Sequence, residues 1–374
     1  MPDVLIYTGV PHARRSEPLS LPPSVHDLMK GPETYLPDEG LKSAVNVALL
    51  LGMPLLLTGP PGCGKTRLAY SLASELNLGE PLEIVVKSDA TSRDLLYSFD
   101  ELGRFQDAQS SARPDMEGSA AAARPLLAYL RFRPLGEAIL RAGGPSARVE
   151  LLDGHAFRGR HSGEIPHTFY DLAPYLFSGG TNSALSVVLI DELDKAPRDL
   201  PNDLLRELED MAFEIRELGI RIRVREPNSG RLPVRPIVVI TSNSERSLPE
   251  PFLRRVAFYD IPNPDDERLT AIVGLRIEEM REWPASVAQA VQLFRKVEKA
   301  LPSGERPPGT AEFLAWVSYL NKFGLGPKES DPRKLPEALR SSISTLAKTS
   351  EAVRKVNALI EIEISKVSAV PTKA

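Results

Sequence analysis

The sequence predicts an α/β domain built on a parallel sheet flanked by helices, followed by an all-α C-terminal domain. Three observations predict it. Short apolar runs alternate with helical patterns between Glu39 and Ile261, a glycine-rich loop at Gly59–Thr66 joins one such run directly to a helix, and no strand pattern recurs beyond Pro262. Apolar runs without polar alternation suit strands covered on both faces, and their alternation with helices argues for a layered fold.

The elements follow in order. Residues 1–34 carry six prolines, from Pro2 to Pro32, and no sustained period, so they read as an arm with at most one short helix. From Glu39, the spacing of Leu41, Val45, Ala48 and Leu49 marks one helix face, stopped by Gly52 and Pro54. Leu55–Thr58 reads as a buried strand and Thr66–Leu76 as a helix. Leu82–Val86, Ser186–Asp191, Pro236–Thr241 and Val256–Ile261 are the further strand candidates, with helices at Arg93–Tyr97, Leu135–Arg141 and Pro201–Met211 between them. Pro264–Met280, Val287–Ala300, Thr310–Phe323 and Leu335–Val367 keep helical spacing to the end. The domain boundaries expected are therefore an arm over 1–34, an α/β domain over 35–262 and a helical domain over 263–374.

Two segments, Asp100–Phe132 and Ala142–Ser183, are rich in Gly, Pro, Ser and Arg and fit neither period. They account for a surplus of chain. Lys65 and Asp191 are 126 residues apart, whereas a minimal path between those strands needs about 60, taking a βαβ unit as roughly 30 residues or more. Phe213–Arg216 and Ile220–Val224 alternate at period two and predict a hairpin with a basic face of Arg216, Arg221, Arg223 and Arg225. That face reads equally as a partner-facing surface or as a solvated one.

The chemistry concentrates in four places. Gly59-Pro60-Pro61-Gly62-Cys63-Gly64-Lys65-Thr66 satisfies G-x-x-x-x-G-K-[ST] between a strand and a helix. Glycines let backbone N–H groups curl around phosphates, and the helix N-terminus adds partial positive charge. Lys65 is suited to reach the β- and γ-phosphates of ATP, and the Thr66 hydroxyl to ligate Mg²⁺; Arg67 is counted with them. Val187–Glu192 is an apolar strand ending in two carboxylates, Asp191 for the Mg²⁺ shell and Glu192 to polarise an attacking water. Ile237–Asn243 ends a third strand on a polar amide, Asn243, suited to orient that water. Leu253-Arg254-Arg255-Val256 offers guanidinium groups of the kind that neutralise transition-state charge, often supplied in trans.

These four stretches, in this order, resemble the AAA+ ATPases, and most closely their MoxR branch. The likeness runs from about Glu33 to Leu320 and includes Asp191-Glu192-Leu193-Asp194-Lys195-Ala196 and the helix Leu204–Glu209. It implies a P-loop NTPase core of the ASCE type, an α-helical lid, a ring, here expected to be a hexamer, and ATP-driven remodelling or chaperoning of a protein client. By that resemblance Gly59–Thr66 is Walker A, Asp191 and Glu192 are Walker B, Asn243 is sensor 1, and Arg255 is the arginine finger with Arg254 as its alternate. It also implies a partner bearing a von Willebrand A domain. One departure stands out: Ala311 occupies the place where family lids often carry a sensor 2 arginine, with Arg306 the nearest substitute. An ATP-gated assembly switch or scaffold with little turnover, and a DNA-processing AAA+ protein, are the alternatives.

Composition narrows the field. With 46 basic against 50 acidic side chains, the net charge is −4 and gives no footprint of a constitutive nucleic-acid binder. One cysteine excludes a disulfide framework and a thiolate metal cluster; Cys63 is committed to the loop, and His155, His161 and His167 are expected to be surface residues. The longest apolar run, Val47–Leu57, is far short of the roughly 20 residues that cross a bilayer, and the Met1-Pro2-Asp3 start lacks the pattern of a signal peptide, so a cytoplasmic location is expected. The 34 prolines exceed the usual share of about 5% and are read as loops and junctions around an elaborated two-domain core.

Overall fold

The computed structural model describes residues 35–111, 125–152, 166–177, 184–224, 234–323, 325 and 334–368. These fall into two units, one of Pro37–Gly59 with Lys65–Ile261, the other of Tyr35, Leu36, Pro60–Gly64 and the chain from Pro262. The arm over 1–34, the run Ser119–Ala123, His155, His161 and Arg225 lie outside the described residues.

In the first unit, helix α1 (Glu39–Leu51) starts where the Asp38 carboxylate accepts from the backbone N–H of Leu41 at 2.7 Å and stops at Gly52, which adopts φ +62°. Strand β1 (Leu55–Thr58) follows, buried along its whole length, which is why its sequence shows no polar alternation. Helix α2 (Lys65–Glu75), β2 (Leu82–Val85), α3 (Ser92–Leu96) and β3 (Tyr97–Phe99) come next. Then come α4 (Glu101–Ser111), β4 (Leu130–Phe132), α5 (Pro134–Gly143), β5 (Glu150–Leu151) and α6 (Phe169–Leu172). The unit closes with β6 (Val187–Asp191), α7 (Leu200–Asp210), β7 (Ala212–Ile215), β8 (Ile220–Arg223), β9 (Ile237–Thr241), α8 (Glu250–Leu253) and β10 (Ala257–Asp260).

Five of these strands form one sheet in the order β10-β1-β9-β6-β2, and every pairing in it is parallel. Its centre is dry: Leu55, Leu56, Leu57, Val188, Leu189, Ile190, Val239 and Ile240 are each no more than 2% exposed. Full burial of such a side chain is worth about 1.5–3 kcal/mol, so the three central strands anchor the unit. Because the strands are parallel, β1, β6 and β9 all end on the same side, and the segments after them meet there. This is the P-loop NTPase fold of AAA+ proteins.

The structure corrects the reading of the two irregular segments. Asp100–Phe132 contains helix α4, and its last residues, β4, pair antiparallel with β3. Within Ala142–Ser183, β5 joins β8 at Glu150↔Arg221 and Leu151↔Ile220, giving a three-stranded sheet in the order β5-β8-β7. The hairpin expected from the alternation at 213–224 is present as β7 and β8. Tyr97, expected to end a helix, instead begins β3 with its ring buried and its hydroxyl donating to Glu217 at 2.9 Å.

The second unit contains α9 (Asp266–Arg276), α10 (Pro284–Ala300), α11 (Thr310–Asn321), α12 (Lys334–Ser341), α13 (Ile343–Leu346) and α14 (Ser350–Ser368). Its core gathers Val273, Val297, Phe313, Trp316, Val356 and Ile360. The expected continuous helix from Leu335 is broken in two places. Buried Trp316 needs an acceptor for its indole N–H and takes the Ser342 hydroxyl at 2.9 Å, at the first break; Thr349 caps α14 by accepting from the backbone N–H of Ala352 at 3.2 Å. Helix α11 starts close to the loop tip of the same unit: a Cβ on Gly309 would lie 2.6 Å from the Pro61 carbonyl oxygen, and one on Gly62 would lie 3.0 Å from the Ala311 Cβ.

Candidate functional site

The loop after β1 is shaped by backbone conformation. Gly62 and Gly64 adopt φ of +75° and +98°, a region that L side chains enter only with strain, and they turn the chain into α2. That helix begins at Lys65, so its first N–H groups have no carbonyl within the helix to bond, which favours an anion at this end. Lys65 is only 7% exposed, and its ammonium donates to the Gly59 carbonyl at 2.8 Å. A buried ammonium must be partnered, and the fold draws this one back over the loop, where phosphate oxygens are better acceptors. Pro60, Pro61 and Cys63 fill the loop between the glycines, with the Cys63 backbone N–H donating to the Pro60 carbonyl at 3.4 Å and its side chain half-buried.

Thr66 brings the loop to the strand ends. Its hydroxyl lies 3.2 and 3.3 Å from the two oxygens of Asp191, the last residue of β6. A hydroxyl and a carboxylate side by side are the hard oxygen donors that Mg²⁺ prefers, so these two residues fit the cation the sequence expects. Among the described residues no group of three or more His, Cys, Asp or Glu side chains could hold a metal by itself.

Glu192 follows in a left-handed conformation, φ +60° and ψ +44°. Such backbone strain in a residue other than glycine costs of the order of 1–3 kcal/mol and persists only where neighbours enforce it. The neighbour is Thr241 at the end of β9: its hydroxyl donates to Asp191 and accepts the Glu192 backbone N–H at 3.0 Å. The Glu192 carboxylate itself accepts from Lys195 at 2.6 Å, and that bond raises the lysine's pKa above its ordinary value. Half-buried Asn243 stands two residues beyond Thr241, its backbone N–H 3.2 Å from the Asp194 carboxylate. Sequence reasoning missed Thr241, Asp194 and Lys195 as parts of this site. An acidic and a basic residue in a turn look solvated, and only the pairing of β6 with β9 reveals the contacts.

The structure therefore brings Lys65, Thr66, Asp191, Glu192 and Asn243 to one end of the sheet. Arg254 and Arg255 lie at the other end. The backbone N–H of Ala257, two residues after Arg255, donates to the Pro54 carbonyl at 2.8 Å, beside the start of β1, whereas the phosphate loop leaves its finish. Both arginines are well exposed; Arg255 lies 3.4 Å from Glu209 and Arg254 3.3 Å from Glu250. With Arg235 they line a cavity of about 330 Å³ floored by Leu205, Leu208 and Val238. Arg67 does not turn toward the loop: its guanidinium lies over the Tyr70 ring at 5.7 Å. Nor do the basic residues of the β7–β8 hairpin form a bare positive face. Arg221 pairs with Glu214, and a cavity of about 730 Å³ sets five arginines, Arg216 and Arg223 among them, against five carboxylates. His167 is a turn residue whose backbone N–H donates to Asp171 at 3.0 Å.

A model of the AAA domain, dynein-related subfamily, matches residues 54–129, the stretch holding β1, the phosphate loop and α2. Over that stretch the chain is similar to an AAA domain. No curated protein matches the sequence. Among solved structures, two single-substitution variants of RuvB from Thermotoga maritima are similar, each 14% identical. The first covers 83% of this chain and 72% of its own with a TM-score of 0.40, the second 87% and 71% with 0.36. The parallel sheet places the five convergent residues where β1, β6 and β9 end, and no helix among the described residues is long and apolar enough to cross a membrane.

Proposed function

We propose that this protein is an ATP hydrolase of the MoxR-like branch of AAA+ proteins, working as a ring of six copies that remodels or chaperones a protein client in the cytoplasm. The observation that supports the hydrolase reading is the convergence of Lys65, Thr66, Asp191, Glu192 and Asn243 at one end of the parallel sheet. In this reading the loop N–H groups and Lys65 hold the phosphates of ATP. Thr66 and Asp191 would hold Mg²⁺, which supplies charge neutralisation on the phosphate oxygens. Glu192 accepts a hydrogen bond from water and Asn243 aligns that water for in-line attack. Oxygen of water bonds to the γ-phosphorus as the bond to the β,γ-bridging oxygen breaks, and the water proton passes to the carboxylate or to phosphate.

Arg254 and Arg255 are at the wrong end of the sheet to reach the ATP of their own protomer. A four-residue strand such as β1 spans roughly 13 Å at about 3.3 Å per residue. A finger role for Arg255 thus requires a second copy, which agrees with ring assembly. A partner bearing a von Willebrand A domain belongs to the same proposal and rests on the MoxR resemblance alone. A second reading, an ATP-gated switch with little turnover, is favoured by the Lys195–Glu192 pair and by Ala311 in the sensor 2 position. Turnover per protomer measured against protein concentration separates them. The hydrolase reading expects a steep rise through the assembly range, and a rate that stays flat and low throughout supports the switch. Nucleic acid is not favoured as a partner, because Arg216, Arg221 and Arg223 of the hairpin are matched by carboxylates.

A further inference from the structure

We infer that Asp194 is a positioning residue for water activation, holding the loop that carries Asn243 in register with Glu192; the inference rests on the hydrolase reading above. Asp194 is 2% exposed. It sits in the short 3₁₀ turn Leu193–Lys195 directly after β6, and its Oδ2 accepts two backbone N–H groups from beyond β9, Asn243 at 3.2 Å and Glu245 at 2.9 Å. Between those donors Ser244 adopts φ +58°, a left-handed conformation that a serine enters at a cost. The two bonds span that residue and, together with the buried Ser242 hydroxyl that accepts the Ser244 N–H at 3.0 Å, hold its turn.

The consequence is geometric. Glu192 and Asn243 must address one water molecule, yet they follow different strands, and side chains from an exposed loop are poorly fixed unless the backbone is tied down. Ser244, Glu245, Arg246 and Ser247 are all exposed, so the loop has no packing of its own to hold it. The Asp194 carboxylate supplies the tie, from a residue only two positions after Glu192. Thr241 provides a matching tie one step earlier, bridging Asp191 and the Glu192 backbone. Together the two ties couple the tips of β6 and β9 on both sides of the place where the water would sit. The second carboxylate oxygen, Oδ1, is buried and has no partner among the described residues. Burying it so is unfavourable, which marks the position as one kept for what it holds rather than for stability. Misplacement of a catalytic group by about 1 Å can lower a rate about a hundredfold.

The test compares Asp194→Asn with Asp194→Ser in the full-length chain. Asparagine keeps an acceptor oxygen where Oδ2 now stands, whereas serine is too short to reach the loop. The serine variant is expected to lose turnover about thirtyfold or more with the ATP KM within about threefold of the parent, and the asparagine variant to stay within about fivefold in both. Hydrogen exchange read at the amides of Asn243 and Glu245 should quicken at least tenfold in the serine variant and stay near parental in the asparagine variant. Parental turnover in a folded serine variant would overturn the inference, as would lost turnover with unchanged exchange, or an asparagine variant as impaired as serine. The parent supplies an independent test if the serine variant does not fold: the amides of Asn243 and Glu245 should exchange at least tenfold more slowly than those of Arg246 and Ser247, and equal rates would overturn it. A parent that binds ATP without hydrolysing it would count against the hydrolase reading, while the exchange measurement still decides whether Asp194 holds the loop.

Discussion

Glu207 lies on α7, away from the phosphate loop, and offers a sharp test of the packing around the α/β core. Burial pushes its carboxyl from the ordinary 4.5 up to about 7; a hydrogen bond from Ser92 opposes the shift, and the neighbouring charge of Asp203 adds to it. Its Oε2 is buried without a partner among the described residues. A carboxyl whose pKa is raised by folding favours the folded state most when protonated. That contribution is complete below the unfolded value near 4.5 and is lost as pH rises toward and through 7. At about 1.4 kcal/mol for each unit of pKa, the full loss by pH 8 is about 3 kcal/mol, and roughly 2 kcal/mol once partial exposure is allowed for. Glu207→Gln removes the titrating group. It should therefore melt about 5 °C higher than the parent at pH 8, from about 2–4 °C per kcal/mol for a unit of this size, and gain little or nothing at pH 5. Differential scanning calorimetry at the two pH values reads it. An equal gain at both, or a loss confined to pH 8, would refute the reasoning.

Three further outcomes follow from the site. Lys195→Met releases the Glu192 carboxylate from its 2.6 Å ion pair; steady-state kinetics should show kcat raised about threefold or more with the ATP KM unchanged, while the melting temperature barely moves, since water screens a pair this exposed. Arg255→Ala should lower turnover about a hundredfold or more while ATP binding stays within about threefold. Mixing it with Glu192→Gln should restore hydrolysis, because at mixed interfaces an intact Glu192 faces an intact Arg255; a mixture as inactive as its components would count against a trans finger. Thr241→Val keeps the volume but loses both the bond to Asp191 and the acceptor for the Glu192 N–H; turnover should fall about tenfold or more in a coupled-enzyme assay, with a stability loss of about 1–3 kcal/mol by denaturant melt.

Much of the sheet was legible because its strands are buried on both faces. Leu55–Thr58, Val187–Asp191 and Ile237–Thr241 need continuous apolar sequence, and that requirement shows in the residues themselves. The phosphate loop was legible because its backbone demands glycine at 62 and 64 and its chemistry demands Lys65 and Thr66. Strands β3 and β4 were not, since three residues are too few to display alternation and residues 100–129 separate the two partners in sequence. The two-residue β5 is a more extreme case. The break at Ser342 was hidden because the helical spacing continues across it; the cause lies in Trp316, remote in sequence, which takes the serine hydroxyl. Asp194 was visible only as part of the Asp191–Ala196 stretch that resembles the family, and its burial follows only from the adjacency of β6 and β9. Likewise, the strained conformation of Glu192 and the lysine against its carboxylate are properties of the turn that composition does not carry.

The central claim, that this site hydrolyses ATP through Glu192, is tested most directly by measuring nucleotide affinity and Mg²⁺-dependent turnover side by side for the parent and Glu192→Gln. The account predicts ATP affinities within about threefold and a turnover lowered about a hundredfold or more in the variant. A variant that hydrolyses ATP at the parental rate, or a parent that binds no ATP, would contradict it.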